Sequence, residues 1–265
     1  MPRRIILHPG FHKTGTSTLQ ATLRQNRKRL KPYMKIVLGG EFPDLKHAAR
    51  GYSTLRDVDT LAKTEVRFAE LIQSQPQMPR RTLLISSEEL SGHLPGRPGI
   101  ARYDAAVTLA ESYVRILRTL HPEAEIILFY TLRDAASWME SAYWQHVKSS
   151  NMTMEMAEFT ERFADAGNLE QIVEELVRLP EIRVETAGME AWRDTPLGPL
   201  APLLALCDVP EDQIALVTPS KPTNTRPAQN VMLALLEANR AYADPKVRLA
   251  KKAAILAEHE GHQRD

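Results

Sequence analysis

Close to its start the chain reads His8-Pro9-Gly10-Phe11-His12-Lys13-Thr14-Gly15-Thr16-Ser17-Thr18, two glycines, a lysine and four hydroxyls in one short loop. This composition suits an anion. The backbone N–H groups of Gly15 to Thr18 fall at the start of a helix pattern, where they lack intrahelical partners and lie at the positive end of the helix dipole. Lys13 adds a mobile point charge, and Thr14, Thr16, Ser17 and Thr18 add hydroxyl donors. A second group, Ser86-Ser87-Glu88-Glu89, ends an apolar run. A carboxylate there can take the proton of an attacking alcohol. A third pair is Arg133 and Ser141, eight residues apart. The planar guanidinium can hold a phosphate through paired hydrogen bonds. Eight residues is a little over two helical turns, so the serine returns near the same face.

The elements that must carry these groups are legible from hydrophobic patterning. Ile5 to Leu7, Arg81 to Leu90 and Glu125 to Leu132 read as buried strands, each delivering its polar group at the carboxyl end, where open α/β sheets bind ligands. Lys35 to Leu38 and Ile182 to Thr186 are further strand candidates. Helices are expected over Thr16–Leu30, Tyr103–Leu120, Ala135–Lys148, 153–179 and 227–242, with a last charged helix from Asp244. Residues 40–80 read as helices and loops over the cleft. Alternating strands and helices predict one α/β domain over residues 1–265, a three-layer parallel sheet flanked by helices.

In the common nucleoside-triphosphatase loop, Gly-x-x-x-x-Gly-Lys-Ser/Thr, the lysine follows the second glycine. Here Lys13 precedes Gly15 by two. The order Lys-Thr-Gly-Thr-Ser after an N-terminal strand resembles the 5′-phosphosulfate loop of sulfotransferases that use 3′-phosphoadenosine 5′-phosphosulfate (PAPS), members of the P-loop nucleotide-binding superfamily. The resemblance implies a nucleotide site made by His12, Lys13, Thr14, Gly15, Thr16, Ser17 and Thr18. It further implies that Arg133 and Ser141 bind the nucleotide 3′-phosphate. Lys13 and either Glu88 or His93 would then be the catalytic groups, with Glu89 as a further candidate base. Ala135 stands where many members carry proline. The loop Ser220-Lys221-Pro222-Thr223-Asn224-Thr225-Arg226 matches a late family loop in part, so Lys221, Asn224 and Arg226 are candidate lid contacts. The implied reaction is sulfuryl transfer to a small-molecule or carbohydrate-like hydroxyl, or to an amine, with no metal. A P-loop small-molecule kinase and a non-catalytic nucleotide-binding homologue are the alternatives.

The same residues also have plain structural readings. Arg133 and Asp134 could form a helix-start ion pair, and Trp138, Tyr143 and Trp144 could be core residues. The basic run Arg24, Arg27, Lys28, Arg29 and Lys31 reads as a solvated helix face. A formal charge of +1 gives no bulk attraction to nucleic acid. The lone Cys207 cannot form an internal disulfide, which leads us to expect a reducing, cytoplasmic setting. The first strand begins too early to leave room for a signal peptide, and no apolar run reaches the roughly 20 residues that span a bilayer.

Overall fold

Ile5, Ile6 and Leu7 are fully buried because their strand lies at the centre of a sheet covered on both faces. The computed structural model describes all residues except Met1, Glu181, Arg193, 222–227 and 263–265, and of residues 260–262 the backbone alone. Its strands are β1 (Arg4–His8), β2 (Met34–Leu38), β3 (Thr82–Ser86), β4 (Glu125–Leu132) and β5 (Arg183–Gly188). They pair in the order β2-β3-β1-β4-β5, all in parallel. The carboxyl ends of β1, β3 and β4 therefore lie side by side, which brings the three polar groups together.

The helices are α1 (Thr16–Gln25), α2 (Arg27–Leu30), α3 (Pro43–Leu55), α4 (Val58–Gln73), α5 (Asp104–Leu120) and α6 (Ala135–Ser149). They are followed by α7 (Met156–Arg162), α8 (Leu169–Val177), α9 (Leu200–Leu206), α10 (Glu211–Ile214), α11 (Gln229–Ala241) and α12 (Pro245–His262). Side chains alternate along each strand, so successive residues join different cores. Ile5 and Leu7 pack with residues of α3, α4, α5, α6, α8 and α11. Ile6 packs on the opposite face with Leu19 and Leu23 of α1 and Leu203 and Leu204 of α9. The molecule is thus an α/β protein with a five-stranded parallel sheet between two helical layers.

Two elements, over Thr16–Leu30 and 153–179, differ from the sequence expectation, while residues 40–80 form helices and loops as expected. The helix expected over Thr16–Leu30 breaks at Asn26, whose side chain donates to Thr22 O at 2.9 Å and Thr218 O at 2.8 Å and accepts from Thr218 N at 3.1 Å. A buried amide tied to a distant segment overrides helical continuity. Residues 40–80 contain two full helices, α3 and α4. Residues 153–179 divide into α7, a 3₁₀ turn over Ala164–Gly167, and α8 capped by Asn168.

Helix α6 is anchored at its far end. The buried Lys252 ammonium of α12 donates to Val147 O at 2.6 Å, Ser150 O at 2.7 Å and Asn239 Oδ1 at 2.9 Å. Asn239 of α11 in turn donates to Val147 O and Met152 O. A cation at the last carbonyls of a helix satisfies orphan acceptors and complements the dipole. The two C-terminal helices thereby fix the helix that carries Ser141. Cys207 is buried and unbridged, and burial pushes its thiol pKa upward. Among the described residues no helix is long and apolar enough to cross a membrane.

Candidate functional site

The β1–α1 loop is built on unusual backbone. Gly10, Lys13 and Gly15 have φ of +58°, +69° and +83°. At Gly10 a Cβ would lie 2.9 Å from Thr16 Cγ2, so glycine is required for space as well as for φ. Lys13 is a non-glycine in the left-handed region, a conformation costing about 1 kcal/mol that persists when surrounding contacts enforce it. Arg133 Nη1 donates to Lys13 O at 3.1 Å. Next to it, His12 N donates to Tyr103 Oη at 2.9 Å, and Trp138 Nε1 donates to His12 O at 2.8 Å. Trp138 and Tyr103 therefore pack in the core while clamping the loop from beneath.

Gly15 starts α1 without any side-chain cap, and no acidic residue occupies the first turn. The first intrahelical bond runs from Leu19 N to Gly15 O, which leaves the amides of Thr16, Ser17 and Thr18 for an external acceptor. The hydroxyl of Thr14 is turned the other way. It donates to Phe11 O at 2.7 Å and shares a 2.7 Å hydrogen bond with Thr131 Oγ1 of β4. Its expected role as a hydroxyl donor to an anion is corrected accordingly: the side chain ties the loop to β4.

The loop opens on a cleft of about 500 Å³. His12, Lys13, Gly15, Thr16, Ser17 and Thr18 line it, together with Glu88, Glu89, His93, Arg133 and Ser141. The sheet order brings these groups together from three separate stretches of sequence. Asn224 and Arg226 lie outside the described residues, and Lys221 is exposed and does not border the cleft. Asp134 does not act as the partner of Arg133 in a helix-start pair. It caps α6, accepting from Ser137 N at 2.8 Å. Tyr143 is core, its hydroxyl donating to Met154 O at 2.9 Å.

Lys13 Nζ donates to Gln145 Oε1 at 3.2 Å. Burial and the charges of Arg133 and Lys148 push its pKa below the ordinary lysine value, and the Glu88 carboxylate opposes them. The two glutamates beyond β3 have contrasting surroundings. Burial and the neighbouring Glu89 raise the Glu88 pKa, and its one side-chain hydrogen bond comes from Gln20 Nε2 at 3.0 Å. Burial also pushes Glu89 upward, but the Ser87 hydroxyl at 2.6 Å, Lys46 Nζ at 3.2 Å and His12 together hold it below the usual carboxylate range. Adjacent carboxylates with pKa values driven apart take different roles, one poised to accept a proton and one a fixed charge. His93 is pushed down to about 4 by burial, Arg97 and Arg50, so it is neutral near pH 7. His12 is pushed down to about 3, chiefly by burial. Tyr103 Oη accepts from His12 N at 2.9 Å and shares a 3.0 Å hydrogen bond with His12 Nδ1.

Sequence reasoning missed Arg50, Arg97, Gln145 and Lys148, all of which line the cleft. The spacing from Ser141 to Gln145 and Lys148 is four and seven residues, a helical face that was readable. Arg50 and Arg97 come from α3 and the loop after β3 and carried no local signal. Trp144 does not line the cleft. Among the described residues no group of three histidines, cysteines or acids could hold a metal ion. No protein-family model matches the chain, and no curated protein matches it.

Proposed function

We propose that the chain transfers a sulfuryl group from PAPS to a hydroxyl or amine acceptor. The observation that carries this reading is an uncapped helix start whose loop holds Lys13 in a left-handed conformation, tied through its carbonyl to Arg133. A phosphate held by the amides of Thr16, Ser17 and Thr18 would thus have two cations locked to one loop. Arg133 and Ser141, bordering the same cleft, suit the nucleotide 3′-phosphate. The donor, when bound, supplies an activated sulfuryl group on a good phosphate leaving group.

The protein's own tasks are positioning and charge stabilisation, as in phosphoryl transfer. The Lys13 ammonium, steered by Gln145, offsets charge that builds on the leaving oxygen. Glu88 takes the proton of the acceptor hydroxyl as its oxygen attacks sulfur. Its raised pKa brings it nearer the operating pH than an ordinary carboxylate, which favours general-base work. Neutral His12, tied to Tyr103 through Nδ1, borders the cleft beside Lys13. A carboxylate base inclines the reading toward a carbohydrate-like hydroxyl, and the buried, unbridged Cys207 fits a reducing compartment such as the cytoplasm.

Calorimetric titration with the spent donor, 3′-phosphoadenosine 5′-phosphate, tests the site. Lys13→Ala and Arg133→Ala should each weaken binding by about tenfold or more, the scale of a lost charge-assisted contact to phosphate. Wild-type binding that neither variant alters would refute the assignment.

A further inference from the structure

Five cationic side chains border the cleft: Lys13, Arg50, Arg97, Arg133 and Lys148. Lys13 and Arg133 belong to the phosphate loop, and Lys148 lies on α6 close enough to depress Lys13. Arg50 and Arg97 come from other segments, α3 and the loop after β3, and both act on His93.

Neither guanidinium has an ionic partner among the described residues. The Glu89 carboxylate, whose charge reaches His93, is already engaged by Lys46 and the Ser87 hydroxyl. Arg97 Nε is buried with no hydrogen-bond partner. Burial and the charge of Arg50 both lower the Arg97 pKa, so the two cations repel. A half-buried arginine pair without a counter-charge is unfavourable for folding, since each desolvated charge needs a partner. Such an arrangement makes physical sense where the counter-charge arrives with a ligand. A second cavity of about 520 Å³ is lined by the Gly96–Ala101 loop and shares Arg97 with the cleft.

We infer that Arg50 and Arg97 form a subsite for an oxyanion, carboxylate or sulfate, borne by the acceptor, an inference that rests on reading the cleft as a transfer site. The acceptor is then an acidic hydroxyl compound such as a uronic acid or an already sulfated sugar. Its charged group is held by the arginines while its free hydroxyl faces Glu88.

Calorimetric titration of the protein saturated with 3′-phosphoadenosine 5′-phosphate tests this, with glucuronate, inorganic sulfate and glucose as probes. At least one oxyanion should bind and glucose should not, and a preference between the two anions separates a carboxylate from a sulfate ligand. Arg50→Gln and Arg97→Gln should each weaken the oxyanion by about tenfold while leaving nucleotide affinity within about twofold. Both variants should melt no lower than wild type in anion-free buffer, because each removes an uncompensated cation. Arg97→Lys, which keeps the charge and loses the fork, should give intermediate weakening. Absence of oxyanion binding, or binding unchanged in both glutamine variants, overturns the inference. So does a tenfold loss of nucleotide affinity in those variants, which would assign the arginines to the donor. A wild-type protein that binds an oxyanion through Arg50 and Arg97 but binds no nucleotide keeps the subsite and sinks the donor reading alone.

Discussion

The loops after β1 and β3 face one cleft but are finished differently. In the β1 loop the internal polar atoms are spoken for: Thr14 by Phe11 and Thr131, His12 by Tyr103 and Trp138, Lys13 O by Arg133. Left for a ligand are the amides of Thr16, Ser17 and Thr18, beside the Lys13 ammonium that Gln145 holds. In the β3 loop Glu89 is fixed by Ser87 and Lys46, Glu88 accepts from the Gln20 side chain, and the buried Arg97 Nε has no partner. The first loop is preorganised for one ligand group of fixed shape, which lowers the cost of ordering on binding. The second carries charge without an internal complement, which on the proposed reading an acceptor would supply. The contrast suits a constant donor and a selected acceptor.

The sharpest way to break this comparison is at Glu88. Glu88→Gln keeps the size and the Gln20 contact but removes the base, so transfer should fall by about 10²- to 10⁴-fold with nucleotide affinity unchanged. The wild-type rate should also decline on acidification at a pH above the ordinary carboxylate range, because burial and Glu89 raise the Glu88 pKa and protonation removes the active form. A pH–rate profile that keeps this acidic limb in the variant would assign the base elsewhere, with His93 next in line.

The preorganised loop is tested at Gly10. A side chain there meets Thr16 and must adopt positive φ. Gly10→Val should cost roughly 2–4 kcal/mol of stability, combining backbone strain with overpacking. It should also weaken the nucleotide more than it weakens oxyanions at Arg50 and Arg97. Equal losses at both would mean that the two halves of the cleft are one coupled unit. Denaturant unfolding with parallel titrations distinguishes these outcomes.

A smaller effect comes from outside the cleft. Lys252→Met removes the cation that donates to Val147 O, Ser150 O and Asn239 Oδ1, leaving the latter two without that donor while Val147 O keeps Asn239. A loss of about 1–3 kcal/mol is expected in denaturant unfolding. Because α6 carries Ser141, Gln145 and Lys148, nucleotide binding should weaken with it, while Glu88 chemistry at saturating donor should hardly change.

The mildest effect is on pH. His8 is fully buried and its pKa is pushed down to about 3 by burial, against an ordinary value near 6.5. Between these values the unfolded chain binds a proton that the folded chain refuses, so stability falls as pH drops below 6.5. The slope approaches about 1.4 kcal/mol per pH unit for this one histidine. His8→Gln should lessen the acid sensitivity seen in denaturant titrations at pH 7 and pH 5, and an unaltered difference would show that other groups carry it.

How much of this was legible follows from where the signals sit in the chain. The strands around Ile5, Leu83 and Ile127 were readable because central parallel strands are apolar on both faces, and the phosphate loop because its parts are contiguous. The direction of the Thr14 hydroxyl was not readable, since its partner Thr131 is 117 positions away. The break at Asn26 depends likewise on Thr218. Gln145 and Lys148 followed from the helical period once Ser141 was chosen. Arg50 and Arg97 did not follow, because an isolated arginine in α3 or in a glycine- and proline-rich loop looks like surface until the fold sets the two together.

The most direct test of the central claim is a side-by-side calorimetric titration with 3′-phosphoadenosine 5′-phosphate and with ATP plus Mg²⁺. The order of Lys13 and Gly15, with Arg133 and Ser141 bordering the same cleft, predicts that the bisphosphate binds without metal and far more tightly than Mg-ATP. Preference for Mg-ATP would contradict the sulfuryl-transfer account and favour a kinase, and binding of neither would leave the loop without the nucleotide role assigned to it.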